Sequence, residues 1–155
     1  MGGFTCTLKI STRYKPAELF EMLRSNLPFV TGAGEPDPRF PRTLFTTQEA
    51  LQIDVGEAIN PAIQEEMYGF QPTVTVHFEL DKNLNDDRYD VGQSNVMRGL
   101  DWLVNHIEGD MVYLVNYATP ALLRRGREIW LDRKDTYWGE RLPLLTFPYE
   151  WKKLS

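Results

Sequence analysis

The chain has 155 residues and a formal net charge of −5, with 42% hydrophobic and 25% charged residues. That length can bury a core without staples and reads as a single domain, 1–155. One cysteine, Cys6, excludes an internal disulfide framework and a multi-cysteine zinc site.

The charge is uneven. Residues 1–87 hold 13 acids against 7 bases, and residues 88–155 hold 9 against 10. An acidic N-terminal half weighs against nucleic acid as a ligand, because phosphate binding needs a basic surface. No stretch approaches the roughly 18–20 apolar residues of a membrane span. The N-terminus lacks the basic start and apolar run of a signal peptide, so the expected location is the cytoplasm. Met1-Gly2 opens like a myristoylation signal, but Cys6 stands where Ser or Thr is needed.

Phe4 to Ile10 alternates, with Phe4, Cys6, Leu8 and Ile10 on one face and Thr5, Thr7 and Lys9 on the other. This predicts a first strand, with Cys6 as a small core residue. Pro16 suits the first position of a helix, where its missing N–H costs nothing. Leu19, Phe20, Met22 and Leu23 give that helix an apolar side, and Pro28 stops it after about Asn26. Residues 28–42 are rich in Pro and Gly and read as a long loop.

Thr43 to Thr46 suggests a short strand, and Leu51, Ile53 and Val55 a better one. Asn60-Pro61 opens a short helix with Ile63 and Met67 as its apolar side, and Gly69 is its left-handed cap. From Thr73 to Leu80 the alternation is strict: Val74, Val76, Phe78 and Leu80 against Thr73, Thr75, His77 and Glu79. This is the clearest strand of the chain, half-buried by pattern.

Asp81 to Asp90 reads as an acidic loop. A helix is expected from about Val91 to Glu108, with Val96, Met97, Leu100, Leu103, Val104 and Ile107 as its buried stripe and Asn95, Asp101, Asn105 and Glu108 off it. Gly99 within that helix would let a neighbouring element pack close. A strand at Met111–Tyr117, a turn at Ala118–Pro120 and a hairpin turned at Arg125-Gly126 predict an antiparallel meander. The tail, 133–155, is rich in aromatics and is expected to pack on the domain. The order of elements predicts an α+β fold: a mostly antiparallel sheet with a long helix and one or two shorter helices packed on one face.

Chemistry is sparse. As a calcium loop, 81–92 fails at position 6, Asp86 in place of Gly, and at position 12, Gly92 in place of Glu. His77 and His106 have no second ligand at metal spacing. Ser94 lacks the Gly-x-Ser-x-Gly elbow of a nucleophile. No metal, cofactor or catalytic residue is expected. Arg124, Arg125, Arg127 and Arg133 read as a solvated hairpin tip or, alternatively, a contact for an acidic partner or RNA.

The run Gly69-Phe70-Gln71-Pro72-Thr73 leading into Leu80-Asp81-Lys82 resembles a signature of the bacterial immunity family of the swarm-inhibition (Sit) polymorphic toxin systems. Val96-Met97-Arg98-Gly99-Leu100, Gly109-Asp110 with its hydrophobic strand, and Leu122-Leu123-Arg124-Arg125-Gly126 continue the pattern. The resemblance covers 60–132, is weak before it and stops before the tail. It implies a non-enzymatic protein that binds and neutralises one cognate protein toxin in the cytoplasm, with no nucleic acid or membrane partner. The family supplies no contact residues. The candidate surface is Asp81, Asp86, Asp87, Asp90, Trp102 and His106, acidic and aromatic groups at the strand end and long helix. The alternatives are a small hydrolase using Ser94 or a histidine, and a ligand-binding or structural subunit with 28–42 as a lid.

Overall fold

The structure is a computed structural model and describes residues 4–30, 35–37, 42–46, 51–81, 83, 85–133 and 137–154. Its strands are β1 (Thr5–Ile10), β2 (Glu35–Asp37), β3 (Arg42–Thr46), β4 (Leu51–Glu57), β5 (Val74–Leu80), β6 (Met111–Val115), β7 (Thr119–Arg125), β8 (Glu128–Asp132) and β9 (Glu150–Lys152). The helices are α1 (Pro16–Asn26), α2 (Pro61–Tyr68) and α3 (Asp86–His106), with a 3-10 helix at Gly139–Leu144. The fold is α+β. The strands form one sheet in the order β2-β3-β4-β5-β1-β6-β7-β8-β9, antiparallel except for the β8–β9 pair.

One face of the sheet is the core. Leu8 pairs with Val76 on one side and Tyr113 on the other, and Val76 pairs in turn with Val55. All four are fully buried. Leu19, Phe20 and Leu23 of α1 and the whole predicted stripe of α3, Val96 to Ile107, bury in the same cluster. Each such Leu, Ile or Val contributes about 1.5–3 kcal/mol by leaving water. α3 lies close on β5: a Cβ at Gly99 would come 3.1 Å from Phe78 Cε1, and one at Gly92 2.5 Å from Leu80 Cδ2. The expected close approach at Gly99 is therefore present.

Several expectations change. α3 begins at Asp86, not near Val91, because Asn85 caps it: its Oδ1 accepts from the Arg88 N–H at 2.9 Å. Asp86 and Asp87 then fill the first turn, where the helix dipole favours them. The acidic "loop" is in large part a polar helix start. Asn95 is buried, not outward-facing. Most of the expected loop 28–42 lies outside the described residues, but Glu35–Asp37 within it pairs with β3 as a strand. The first meander turn is Asn116 to Ala118, and Pro120 belongs to β7. The tail is part of the core: Tyr137, Trp138 and Phe147 are buried, and Trp138 Nε1 donates to the Ala121 carbonyl at 3.0 Å.

α2 differs most. Ile63 and Met67, expected to face the core, are 50% and 63% exposed. The residue of α2 that buries is Gln64. Asn60 occupies the cap position in left-handed backbone, with no side-chain cap bond. Gly69 caps the far end at φ +83, as expected. Next to that end, Tyr68 packs on a second small cluster of Phe70, Val112 and Leu114. Val112 and Leu114 alternate with core-facing Met111, Tyr113 and Val115, so this cluster lies on the sheet face opposite α3.

Candidate functional site

The six residues chosen from the sequence fall at two ends of one helix. Asp81, Asp86, Asp87 and Asp90 are exposed at the end of β5 and the start of α3. Trp102 and His106 lie at the other end of α3. At 1.5 Å rise per residue, Asp86 and His106 are about 30 Å apart along the axis, and Asp90 and Trp102 about 18 Å. The acids thus form one group and the aromatics another.

Trp102 is half-buried against the core, and His106 stacks on it at 4.8 Å between ring centroids. His106 Nδ1 lies 2.8 Å from the Trp102 carbonyl. A carbonyl only accepts, so this nitrogen carries the hydrogen. Ser94 has neither histidine near it. Along α3 it is about 18 Å from His106, and His77 is on the far face of the sheet.

That far face holds the more structured arrangement. The alternation that buries Val76 and Phe78 turns Thr75, His77 and Glu79 to the other side. They line a concavity of about 380 Å³ with Thr7, Lys9, Gln52, Asp54, Ile59, Leu114 and Tyr117. Asp54, His77 and Thr7 form one row across three strands, since His77 pairs in register with both of the others. Thr7 Oγ1 is 2.9 Å from His77 Nδ1, and Glu79 Oε1 is 3.6 Å from Nε2. Burial pulls the Lys9 ammonium below its usual pKa, because desolvation penalises the charged form. Thr75 Oγ1 is buried with no hydrogen-bond partner among the described residues.

Tyr117 closes one side. Its ring stacks on His77 at 5.4 Å between centroids, and its hydroxyl is 3.5 Å from His77 Nε2. It sits in the β6–β7 turn with φ +69, beside Asn116 at φ +51. This backbone suits Asn-Gly and is uncommon for a bulky side chain. Tyr117 is nevertheless 65% exposed.

Chemically this face is a polar recess, with His77 held between a hydroxyl and a carboxylate. The Thr7 hydroxyl is a poor nucleophile candidate, since Thr7 is buried in a central strand. Among the described residues no group of three or more His, Cys, Asp or Glu could hold a metal ion. No helix among them is long and apolar enough to cross a membrane.

Of the four arginines expected to be solvated, Arg127 and Arg133 are exposed, but Arg124 and Arg125 are structural. Arg124 is buried and donates to the carbonyls of Val104 at 2.6 Å, Gly109 at 2.8 Å and Ile107. Its pKa is lowered by that burial. Arg125 joins Asp110 at 3.2 Å and donates to the Tyr68 carbonyl at 2.6 Å. The two neighbours thus secure the C-terminal ends of α3 and α2.

Sequence reading missed the recess that Ile59 and Tyr117 close over the polar face of β5. Its signal was available in the charges: from 43 to 81 there are seven acids and no Lys or Arg.

A family model described as SitI3-like matches residues 4–142. The match extends the resemblance read over 60–132 in both directions, back into β1 and forward into the 3-10 helix. No curated protein and no solved structure matches the chain. With most of its length matched, the chain belongs to the SitI3-like family of Sit immunity proteins.

Proposed function

We propose that this protein binds one cognate bacterial toxin in the cytoplasm and neutralises it by covering it, without catalysis. Family membership carries this reading. Two features of the chain support a binding role. Acidic and aromatic groups stand exposed on preformed elements, which steer association and anchor contacts. The hydroxyl that meets His77 most closely, that of Thr7 at 2.9 Å, belongs to a residue buried in a central strand.

The acids chosen from the sequence, Asp81, Asp86, Asp87 and Asp90, stand exposed together at the start of α3 as one alternative contact surface. Trp102 and His106 would be a separate contact at the other end. The test is co-production in a sensitive bacterial host of this chain with each candidate toxin domain found among the genes that neighbour its own. Growth rescued by the chain, and by a His77→Ala variant that still binds the toxin domain, is the expected result. Rescue abolished by His77→Ala, with the variant folded and still bound to the toxin domain, would favour an enzyme instead.

A further inference from the structure

Among the described residues six large hydrophobic side chains are exposed: Ile59, Ile63, Met67, Val91, Tyr117 and Trp151. Two of them, Ile63 and Met67, are on α2, and two, Ile59 and Tyr117, line the recess; Tyr68 of α2 packs on the cluster of Leu114, which lines the recess too. Ile63 and Met67 are four apart and share one side of α2. Ile59, just before the helix, and Tyr117, across from it, line the same concavity. Exposed apolar groups scattered singly need no explanation, but four of six gathered on one helix and the neighbouring recess do.

Tyr117 adds an independent observation. A non-glycine residue in left-handed backbone is strained, and Gly would serve this position of the turn better. The turn instead presents a large aromatic ring to solvent, stacked on His77. Such strain is commonly kept where a side chain has a contact to make.

The charge around this group decides what could cover it. Glu57, Glu65 and Glu66 are exposed beside it, and Asp54 and Glu79 lie within the recess. The basic residue of the recess, Lys9, is half-buried with its charge disfavoured. A second copy of this chain meeting it face to face would bring these acids together, at a cost. A partner with Lys and Arg around an apolar centre would not.

We infer that the α2 ridge, the recess beside it and Tyr117 form the toxin-docking face, and that the toxin offers a basic surface with an apolar centre. This rests on the immunity reading and names its contact surface. Ile63 and Met67 are the apolar anchors, Tyr117 the aromatic one, and Glu65 and Glu66 the steering charges. The acids at the start of α3 lie outside this face.

The experiment is calorimetric titration of the full chain with the purified toxin domain whose effect it suppresses in the co-production test, paired with sedimentation of the chain alone. The doubly substituted Ile63→Glu, Met67→Glu chain should lose at least about thirtyfold in affinity. Glu65→Lys with Glu66→Lys should slow association and flatten its salt dependence. Asp86→Asn with Asp87→Asn, on α3, should stay within about twofold. All of these positions are exposed, so circular dichroism should show an unchanged fold. Full affinity in the Ile63→Glu, Met67→Glu chain, or loss in the α3 pair instead, overturns this docking face and leaves the immunity reading standing. A wild-type dimer that the Ile63→Glu, Met67→Glu pair dissolves also overturns it, with a second copy as the occupant. A wild-type chain that neither binds nor protects against any candidate domain fails the immunity reading itself.

Discussion

The Arg124 guanidinium reaches the Val104 carbonyl at 2.6 Å and ends the longest helix of the protein from the neighbouring hairpin. The last carbonyls of a helix have no partner within it. Here a buried cation meets them where the helix dipole is negative. Arg124→Met keeps the apolar stem but strands three carbonyls, those of Val104, Ile107 and Gly109. It should lower stability by about 2–4 kcal/mol, read from urea unfolding. Arg124→Lys should recover only part of this, because one ammonium cannot span the same fork.

Gly109 leads into β6 at φ +120, and a Cβ there would lie 1.8 Å from the Ser11 carbonyl oxygen. That atom is backbone and cannot move aside cheaply. Gly109→Ala should therefore cost more than about 3 kcal/mol, or prevent folding at moderate temperature. Gly126→Ala is the comparison: it has φ +61 but open space around the added carbon. It should cost only about 1 kcal/mol. Thermal melts of both variants distinguish clash from backbone strain.

Tyr113 and Tyr137 share a hydrogen bond of 2.8 Å in the core, and Cys6 Sγ lies 3.7 Å from the Tyr137 hydroxyl. Burial raises both phenol pKa values, Tyr113 well above its usual value. The folded chain then keeps protons that the unfolded chain releases above about pH 10. Stability from these groups is whole below that pH and falls as pH rises through it. With two such phenols the slope should approach about 2.7 kcal/mol per pH unit. Urea unfolding between pH 9 and pH 11 should show the decline (about the usual phenol pKa), and Tyr113→Phe with Tyr137→Phe should flatten it.

Much of this fold could be read from the sequence because pattern and burial agree. The alternation in 73–80 and 4–10 gives the two central strands, and the spacing from Val96 to Ile107 gives the buried side of α3. Reading failed where polar residues do structural work. Asp86 to Asp90 look like a loop, yet the cap at Asn85 makes them the first turns of a helix. Arg124 looks like a surface charge because its partners, carbonyls at 104, 107 and 109, leave no mark in side-chain patterns. Ile63 and Met67 failed in the opposite direction. Helical spacing shows that they share a side, but not whether the fold covers it. The sequence-chosen contacts suffered from the length of α3, which separates residues that look close in the chain.

Tyr117→Gly separates stability from binding. It relieves a left-handed tyrosine at the cost of the stacking on His77. Its unfolding free energy should be unchanged or higher by up to about 1 kcal/mol. Its affinity for the toxin domain should fall at least about tenfold. A parallel loss of stability and affinity would make Tyr117 a structural residue.

The proposed function is neutralisation by binding at equilibrium. Its most direct measurement is titration of the toxin domain's activity with the purified chain. Covering the toxin gives loss of activity in proportion to the chain added, complete at equivalence, and full recovery of active toxin when the complex is unfolded and separated. Progressive loss at far less than one equivalent, with toxin that stays inactive after separation, would contradict it and mark the protein as an enzyme acting on its toxin.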